Sequence, residues 1–505
     1  MGNINLFRLI SILLVIFVLF AGCNKDEPDD DNWQNQKVSG EVYVSGDGND
    51  DNDGTMDHPW KTISLAISRL GPGATLNIRE GTYNISYLIM ISVSGTQDSV
   101  ITIRAYPGET VTIDADLANI RRSSTYPYEQ GAVQFDKSSW IVLKNIMVRN
   151  SHQGGINIVQ SSHISIINCV TENTLCPGIA AWQGCSYINV LGNTVINAND
   201  MDMSWDPYTG SEAPHEAISM AGPHYFEVAW NHVYDCQKEG IDCKETCAHG
   251  NVHHNYVHNL KRQGLYVDGW FGQLEDIEMH HNVVHNCEAG IAVSSEDGPN
   301  SRDIRIHHNL IFNNRATGLF FSRWGADNPR ENIEVYNNTF YRNGYGWSQD
   351  GDPDYWLTGG IYLFSVSLND VSIRNNILSL NKPFEIGHSY EYKQGDFEEK
   401  NIVIEYNIIN DINTVSNPFY MATWTKDSVY SVTGENSVSG DPLFADPANG
   451  DFRLQTGSPV IDAGYQDPMY NDPDGTRNDP GAFPFGYDED YYWWKNNFPP
   501  VIENY

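Results

Sequence analysis

Apolar residues in this chain occur in short runs that return at a nearly fixed spacing. The segments NHVYDCQKEGIDCKE and NYVHNLKRQGLYVDG are near copies that begin 24 residues apart. Elsewhere an Asn precedes a short apolar run at steps of 23 to 38 residues, and a Gly-apolar pair often follows about ten residues later. A period in this range is typical of a solenoid. The Asn positions are Asn145, Asn168, Asn193, Asn231, Asn255, Asn282, Asn309, Asn338, Asn376 and Asn407.

Each repeat contains two or three short runs rich in Val and Ile, separated by polar residues. Long segments with the 3.6-residue helical period are absent. The pattern predicts an all-β chain, a single-domain parallel β-helix of about ten coils from roughly 84 to 440. Parallel crossovers are almost always right-handed, so we expect a right-handed helix. Because Asn suits turns between strands, stacked Asn side chains are expected to form an internal ladder.

The N-terminus predicts export rather than structure. Arg8 precedes an apolar run from Leu9 to Phe20, which is the layout of a signal peptide over 1–22. The sequence LFAGC resembles a bacterial lipoprotein box, which implies cleavage before Cys23 and lipid attachment to its thiol. Residues 23–38 are acidic and form an expected tether. They resemble the signal that sends lipoproteins of Bacteroidetes-type bacteria to the surface of the outer membrane.

The net charge of the chain limits the classes of partner that it can bind. Acidic residues number 65 against 30 basic ones, for a net charge of −35. Such a chain would repel nucleic acid. We therefore expect no nucleic-acid partner. The lipoprotein box implies membrane contact through the lipid anchor, and we expect a monomer. A polysaccharide or oligosaccharide substrate is expected from the candidate site residues described below. No CxxC pair has a matching second pair, which argues against a structural zinc site.

The region before the coils predicts a cap at 39–83, with a short helix around Lys61–Leu70. Its segments YVSGDGND, HPWKTI and GATLNIREGTY resemble the N-terminal cap of family 9 polysaccharide lyases. Residues 441–485 resemble the closing segment of the same β-helix superfamily, which completes a domain spanning 39–485. Residues 486–505 form a C-terminal tail. The resemblance implies a pectin-lyase-like fold, but this scaffold hosts lyases, hydrolases and binding proteins.

Candidate chemistry is concentrated on two or three coils. Alternation along a strand turns Asp242 and Lys244 outward, and likewise Tyr266 and Asp268. The 24-residue step places Asp242 beside Tyr266 and Lys244 beside Asp268. Glu216 lies one coil earlier and supplies a third carboxylate. Asp242 and Asp268 are diagonal neighbours at about 7–8 Å, a separation that suits paired glycosidase carboxylates. The alternative is a structural ladder in which Lys244 pairs with Asp268 and Asp242 bonds Tyr266.

Aromatic residues flank this cluster, as expected of a site that binds sugar rings. They include one on the inserted loop at 198–214, whose acidic residues Asp200, Asp202 and Asp206 are weak candidates to bind Ca²⁺. No cofactor is certain. The expected substrate-binding residues are Tyr266, Trp270, Trp182, Trp205, Trp324 and His215.

Three functions remain open at this point. The paired carboxylates favour a glycosidase, and the arrangement looks like β-helix glycoside hydrolases of families 120 and 141. A polysaccharide lyase would need a base and cations. Lys244 beside Asp268 would stay protonated, and its charge is expected to keep Asp268 ionised. HEAISMAG also has Met220 where a lyase would need a basic residue. A surface glycan-binding protein without catalysis would need only the aromatic residues.

Overall fold

The computed structural model describes residues 37–120, 130–204, 213–345, 359–410, 421–424, 427–431, 434–486, 493–495 and 498–503. From Val38 onward these residues form one compact unit. Its architecture is a parallel β-solenoid of about 12 turns, and three long sheets form its walls. The predicted all-β fold is therefore confirmed.

Sheet 1 contains the strand that begins the domain and one strand from each following coil. All of its strands are parallel. They are Val38–Val44, Leu70–Ile78, Ile101–Ala105, Ser139–Lys144, Ser162–Ile167, Ser186–Leu191, His224–Ala229, Ala248–His253, Leu274–His280, Ser301–His307, Arg330–Tyr336, Leu368–Arg374 and Ile402–Glu405.

Sheet 2 carries the predicted site. Its strands are parallel until the last two, which join antiparallel. They are Ile89–Ile91, Gly131–Asp136, Gly154–Val159, Ile179–Trp182, Ile218–Ala221, Ile241–Glu245, Leu265–Gly269, Ile291–Ser295, Thr317–Phe321, Gly359–Leu363, Ile386–Ser389, Asp427–Ser431 and Met421–Trp424.

Sheet 3 consists of shorter parallel strands and completes each turn of the solenoid. They are Gly81–Asn84, Val111–Asp114, Met147–Ser151, Val170–Thr174, Thr194–Ala198, His232–Tyr234, Tyr256–His258, Val283–His285, Leu310–Phe312, Thr339–Tyr341, Ile377–Ser379, Ile408–Asn410 and Val438–Ser439. The coils outnumber the expected ten because Leu70–Ile78 and Gly81–Asn84 of the cap already pair as coil strands.

The predicted helix forms over Ile63–Arg69, where it buries Ile63, Ala66 and Ile67 against the first turn of the solenoid. A second short helix spans Asp396–Glu399. No helix in the described part of the chain is long and apolar enough to span a membrane. The remaining elements of the described residues are three 3₁₀ turns and one antiparallel pair of strands. They are Met201–Met203, Pro447–Asn449 and Pro468–Tyr470, and Phe444–Asp446 with Asp451–Leu454.

The interior is apolar, and the Gly-apolar pairs allow the coils to pack closely. Ile241, Cys243 and Leu265 are among the fully buried residues of one continuous core. A Cβ on Gly240 would lie 2.5 Å from the carbonyl oxygen of Gly264 on the next coil. Only glycine fits that approach, which explains why Gly precedes the inward apolar residue in successive repeats.

The predicted asparagine ladder is confirmed from Asn193 to Asn407. The Asn193 oxygen accepts from the backbone N–H of Cys169. From Asn231 to Asn407, each side-chain oxygen accepts from the backbone and side-chain N–H groups of the Asn one coil earlier; Asn231, for example, donates both to Asn255 at 3.0 Å. The prediction was wrong for Asn145 and Asn168, which adopt left-handed backbone conformations one residue before the ladder. Both positions favour Asn, so sequence spacing alone could not separate them.

The C-terminal segment runs back along the outside of the solenoid. Gly481 donates to the carbonyl oxygen of Asn375. Farther along, Trp494 packs on Tyr256, and Ile502 exchanges two hydrogen bonds with Asn168. This segment therefore covers the outer side of sheet 3 and leaves the opposite wall, sheet 2, to carry the candidate site.

Candidate active site on sheet 2

The strand register places the predicted site residues as expected. Asp242 lies between Ser219 on the preceding coil and Tyr266 on the next. Lys244 pairs in register with Asp268. Alternation has turned these side chains away from the core. The predicted register of the site is therefore confirmed.

Lys244 is the centre of the charged cluster. Its Nζ lies 3.1 Å from Oε1 of Glu216, 3.9 Å from Oδ2 of Asp242 and 4.0 Å from Oδ2 of Asp268. Three carboxyl groups from three successive coils therefore share one ammonium group. We call these four residues the carboxylate cluster.

The expectation that Asp242 and Asp268 would be exposed was wrong. Their exposed fractions are 0% and 3%, and that of Glu216 is 4%. The Lys244 side chain is 12% exposed. Outward orientation from a solenoid wall does not ensure contact with solvent, because neighbouring large side chains such as Tyr266 cover the surface between coils.

The three carboxyl groups have different protonation behaviour. Burial alone would raise the pKa of Glu216, but the Lys244 and Lys238 ammonium groups lower it to about 2. Burial raises the pKa of Asp242 well above its ordinary value, and the negative charge of Glu216 raises it further. At neutral pH Glu216 is therefore ionised, whereas the protonated form of Asp242 is favoured relative to an ordinary aspartate.

Asp268 also differs from the sequence-based expectation. Burial raises its pKa well above the ordinary value, and the charge of Glu296 adds to that rise. We expected Lys244 to keep Asp268 ionised, but the ammonium lies closer to Glu216 and keeps that carboxylate ionised instead.

The Lys244 ammonium remains protonated, as predicted. Burial would lower its pKa, but the charges of Glu216, Asp242 and Asp268 raise the pKa well above its ordinary value. A permanently protonated ammonium can attract negative charge, but it cannot accept a proton as a general base.

The cluster contains buried oxygens without a hydrogen-bond partner. Both carboxyl oxygens of Asp242 and Oδ1 of Asp268 are in this state. By contrast, Glu216 accepts from the Ser219 hydroxyl at 2.8 Å and from Lys244 at 3.1 Å. Buried polar groups normally have partners, so the unpartnered oxygens distinguish this cluster from a fully hydrogen-bonded ladder.

Tyr266 bonds a carboxyl group that the sequence analysis missed. Its hydroxyl donates to Oε1 of Glu296 at 2.5 Å, not to Asp242 as the ladder alternative required. Glu296 follows the strand Ile291–Ser295, and burial raises its pKa. Alignment by coil places Glu296 opposite Trp270, a correspondence that could have identified it.

A second charged group lies at the start of the same strands. Arg262 donates to Oε1 of Glu239 at 3.0 Å, and Lys238 lies 3.7 Å from Oε2. Glu239 and Gln263 are neighbours on successive coils, two residues before Ile241 and Leu265. Glu239 corresponds to Glu216 one coil later, and no role was predicted for it from the sequence.

The aromatic candidates are divided between two places. Trp182 packs edge-on against His215, with ring centroids 4.6 Å apart, next to Glu216 in the chain. Trp324 packs edge-on against Tyr266 at 5.5 Å, and Trp270 follows the strand that carries Asp268. These residues border the cluster on both sides. The remaining candidate, Trp205, lies outside the described residues.

The candidate calcium ligands do not form a cation site in the described part of the chain. Asp200 accepts from the backbone N–H of Asp202 and from the side chain of Asn197, so it caps the turn Met201–Met203. No group of three or more His, Cys, Asp or Glu among the described residues is arranged to hold a metal ion. Asp206 lies outside the described residues. Within the carboxylate cluster, the Lys244 ammonium occupies the position between the carboxyl groups and would repel a cation.

The fold and site together define a parallel β-helix with a buried carboxylate cluster on one wall. Residues 42–222 match the family described as the Pel9A-like, right-handed β-helix region. Residues 207–363 match the family described as periplasmic copper-binding protein NosD. The first match confirms the resemblance noted in the N-terminal cap and agrees with the expected hand.

Two curated relatives have sequences similar to this one. An uncharacterized protein of Bacillus subtilis, YwoF, is 27% identical over 485 residues, which cover 84% of this chain and 93% of the relative. The pectate lyase PEL9 of Emericella nidulans is 42% identical over 79 residues, which cover 16% of this chain and 19% of the relative. The similarity to the lyase thus spans about a fifth of that enzyme.

Among solved structures, pectate lyase Pel9A matches with a TM-score of 0.46 and 16% identity, covering 90% of this chain and 98% of that one. Further matches are to glycoside hydrolases and polysaccharide lyases.

Proposed function

We propose that the protein is a carbohydrate-active enzyme, a glycoside hydrolase in which Asp242 is the general acid and Glu216 the ionised carboxylate. One observation carries this proposal: two carboxyl groups near the same ammonium have their pKa values driven in opposite directions. Glycosidases need one carboxylic acid and one carboxylate at the same pH.

In the proposed reaction the Asp242 proton moves to the glycosidic oxygen as the C–O bond to the anomeric carbon breaks. Glu216 stabilises the positive charge that develops on the sugar. The nucleophile that attacks the anomeric carbon is either the Glu216 carboxylate itself or a water molecule that Glu216 positions. Water supplies the hydroxyl of the new reducing end, and its second proton restores the acid. Asp268 and Lys244 complete the charged wall and set the pKa values of the pair.

The distances limit the stereochemical outcomes. Because Glu216 and Asp242 oxygens lie 3.1 and 3.9 Å from the same nitrogen, they are at most about 7 Å apart. This upper limit allows the carboxyl separation of about 5–5.5 Å found in retaining enzymes. It also allows the lower end of the range of about 6.5–9.5 Å found in inverting enzymes. Proton NMR of the first anomer released would assign one of them.

A polysaccharide lyase is the second candidate. The match of residues 42–222 to the Pel9A-like family favours it. In such an enzyme Lys244 would remove the proton beside a uronate carboxylate. The three carboxyl groups around Lys244 oppose this role because they hold the ammonium protonated.

A screen of the purified protein on a glycan panel tests the proposal. New reducing ends without unsaturated uronates would be the result expected of a hydrolase. Unsaturated uronate products, detected by their ultraviolet absorbance and abolished by Lys244→Ala, would establish the lyase instead. Binding without any turnover would favour a surface glycan-binding protein.

We also propose that the enzyme is anchored to the outer membrane through Cys23, facing the cell surface. The supporting feature is the LFAGC sequence at the end of the apolar run, followed by an acidic segment. Cys23 lies outside the described residues. Cys23→Ser should release the protein from the membrane fraction, and retention of the variant there would contradict the anchor.

A further inference from the structure

The cations around the carboxylate cluster are occupied by carboxyl groups of the protein itself. Lys244 has three of them within 4.0 Å. Lys238 and Arg262 both contact Glu239, at 3.7 and 3.0 Å. A substrate carboxylate entering the site would have to compete with these groups for each cation.

The unpartnered buried oxygens around the cluster belong to acids and to one amide. They are Oδ1 and Oδ2 of Asp242, Oδ1 of Asp268, Oε2 of Glu239 and Oε1 of Gln263. The Gln263 amide oxygen and the Glu239 carboxylate, which two cations contact, only accept hydrogen bonds. A protonated aspartate has one donor but keeps one oxygen that accepts, so the partner that completes the set must bring donors. A sugar hydroxyl donates, whereas an ionised carboxylate only accepts.

The negative charge of the site points in the same direction. The cluster and its neighbours contribute the carboxyl groups of Glu216, Glu239, Asp242, Asp268 and Glu296. Glu216 is ionised at neutral pH. A uronate placed against Glu216 would meet a like charge, and the nearest ammonium group, Lys244, already contacts Glu216 at 3.1 Å.

We infer that the sugar unit bound against the carboxylate cluster is neutral, and that the site discriminates against a uronic acid at that position. The inference rests on the hydrolase function proposed above and specifies its substrate class. The hydroxyl groups of a neutral ring would donate to the Asp242, Asp268 and Gln263 oxygens, which would thereby gain the partners that they lack in the protein alone.

The experiment compares acidic polymers with their carboxyl-reduced forms, which share linkage and chain length. Polygalacturonate and alginate are tested beside the neutral polymers obtained by reducing their uronates, together with a panel of natural neutral glycans. Cleavage is followed as new reducing ends. We expect kcat/KM for a neutral glycan to exceed that for the matched uronate by at least about 100-fold, the effect of an unpaired like charge.

A substitution sharpens the test. Glu239→Gln removes the carboxylate that occupies Lys238 and Arg262 and makes both available to a uronate, so the preference for neutral glycans should fall by about tenfold. Glu275→Gln is the matched control, because it removes a carboxylate from an arginine on sheet 1, Arg302, which contacts Glu275 outside the site. The control should leave the preference unchanged.

Failure of this inference is distinguishable from failure of the proposed function. Equal or faster hydrolysis of the uronate polymer would overturn the neutral-substrate inference and keep the hydrolase. Elimination products would overturn both. If the panel shows no cleavage, calorimetric binding of the same matched oligosaccharides to the wild-type protein still decides the inference: tighter binding of the uronate form would contradict it.

Discussion

Two rows of buried polar side chains run along this solenoid, and they differ in how completely they are hydrogen-bonded. In the asparagine ladder, Asn255 donates to Val228 and Asn282 and accepts twice from Asn231. In the carboxylate cluster, Asp242 is equally buried, yet both of its oxygens lack a hydrogen-bond partner.

The difference separates a structural role from a functional one. The ladder repeats over every coil from Asn193 to Asn407, and each member completes its neighbours. The cluster is confined to three coils and breaks the repeat, since Ala292 and Phe320 occupy the row of Asp242 beyond Tyr266. A polar network in which every group is hydrogen-bonded rigidifies a core. A network with unpartnered buried groups makes the fold less stable, but those groups can bind a ligand.

The largest expected effect is on turnover. Asp242→Asn removes the proposed acid while preserving shape, and should reduce kcat by about 10²- to 10⁴-fold. Stability at neutral pH should not fall, because the variant no longer contains a buried acid whose ionisation is unfavourable. Turnover per folded molecule and thermal unfolding are measured together. Unchanged turnover would show that Asp242 is not the general acid.

The opposite result is expected for the asparagine ladder. Asn282→Ala leaves the N–H of Asn255 and the carbonyl of Val252 without their partner. Each unsatisfied buried group costs about 1–3 kcal/mol, so the free energy of unfolding should fall by about that amount for each of the two groups. Denaturant titration measures this loss. Turnover of the folded fraction should remain close to wild type; a selective loss of turnover would contradict the contrast.

Glu216→Gln should show a stability effect that depends on pH. The folded pKa of about 2 lies below the ordinary value of 4.5, so the ionised group stabilises the fold above pH 4.5. That contribution is lost as pH falls from 4.5 towards 2. It corresponds to about 3 kcal/mol at neutral pH. Denaturation midpoints of wild type and variant should therefore converge on acidification.

Asp242→Asn supplies the opposite sign in the same experiment. A folded pKa above the ordinary value favours the fold at low pH and loses that contribution as pH rises through the folded pKa. The difference between wild type and this variant should therefore shift in favour of the variant as pH rises above 3.8, the ordinary pKa of the group. Parallel curves for both variants would contradict the assigned protonation states.

The smallest effect is expected at Glu296, which lies beside the cluster. Removing its charge by Glu296→Gln should lower the pKa of Asp268, because that charge is the second cause of its rise after burial. The titration profile of Asp268 should move to lower pH, with less than about a tenfold change in maximal kcat. Glu275→Gln is the control and should leave the profile in place.

Most of the fold and part of the candidate site could be predicted from the sequence. The spacing of repeats predicted the solenoid, and strand alternation placed Lys244 beside Asp268 correctly. Pairwise register could not show which of three carboxyl groups lies nearest to the ammonium, because that depends on side-chain length and rotamer. It also could not show burial of the cluster, or the reach of Tyr266 to Glu296 across a coil.

The most direct test of the account is the protonation state of Asp242 at neutral pH. Isotope-edited infrared spectra of protein with ¹³C-labelled aspartate carboxyl groups, taken as wild type minus Asp242→Asn, would resolve this carboxyl group. The account predicts a protonated-carboxyl band at pH 7 for Asp242, while wild type minus Glu216→Gln, with labelled glutamate, shows only a carboxylate band. A carboxylate band for Asp242 at pH 7 would contradict its assignment as the acid.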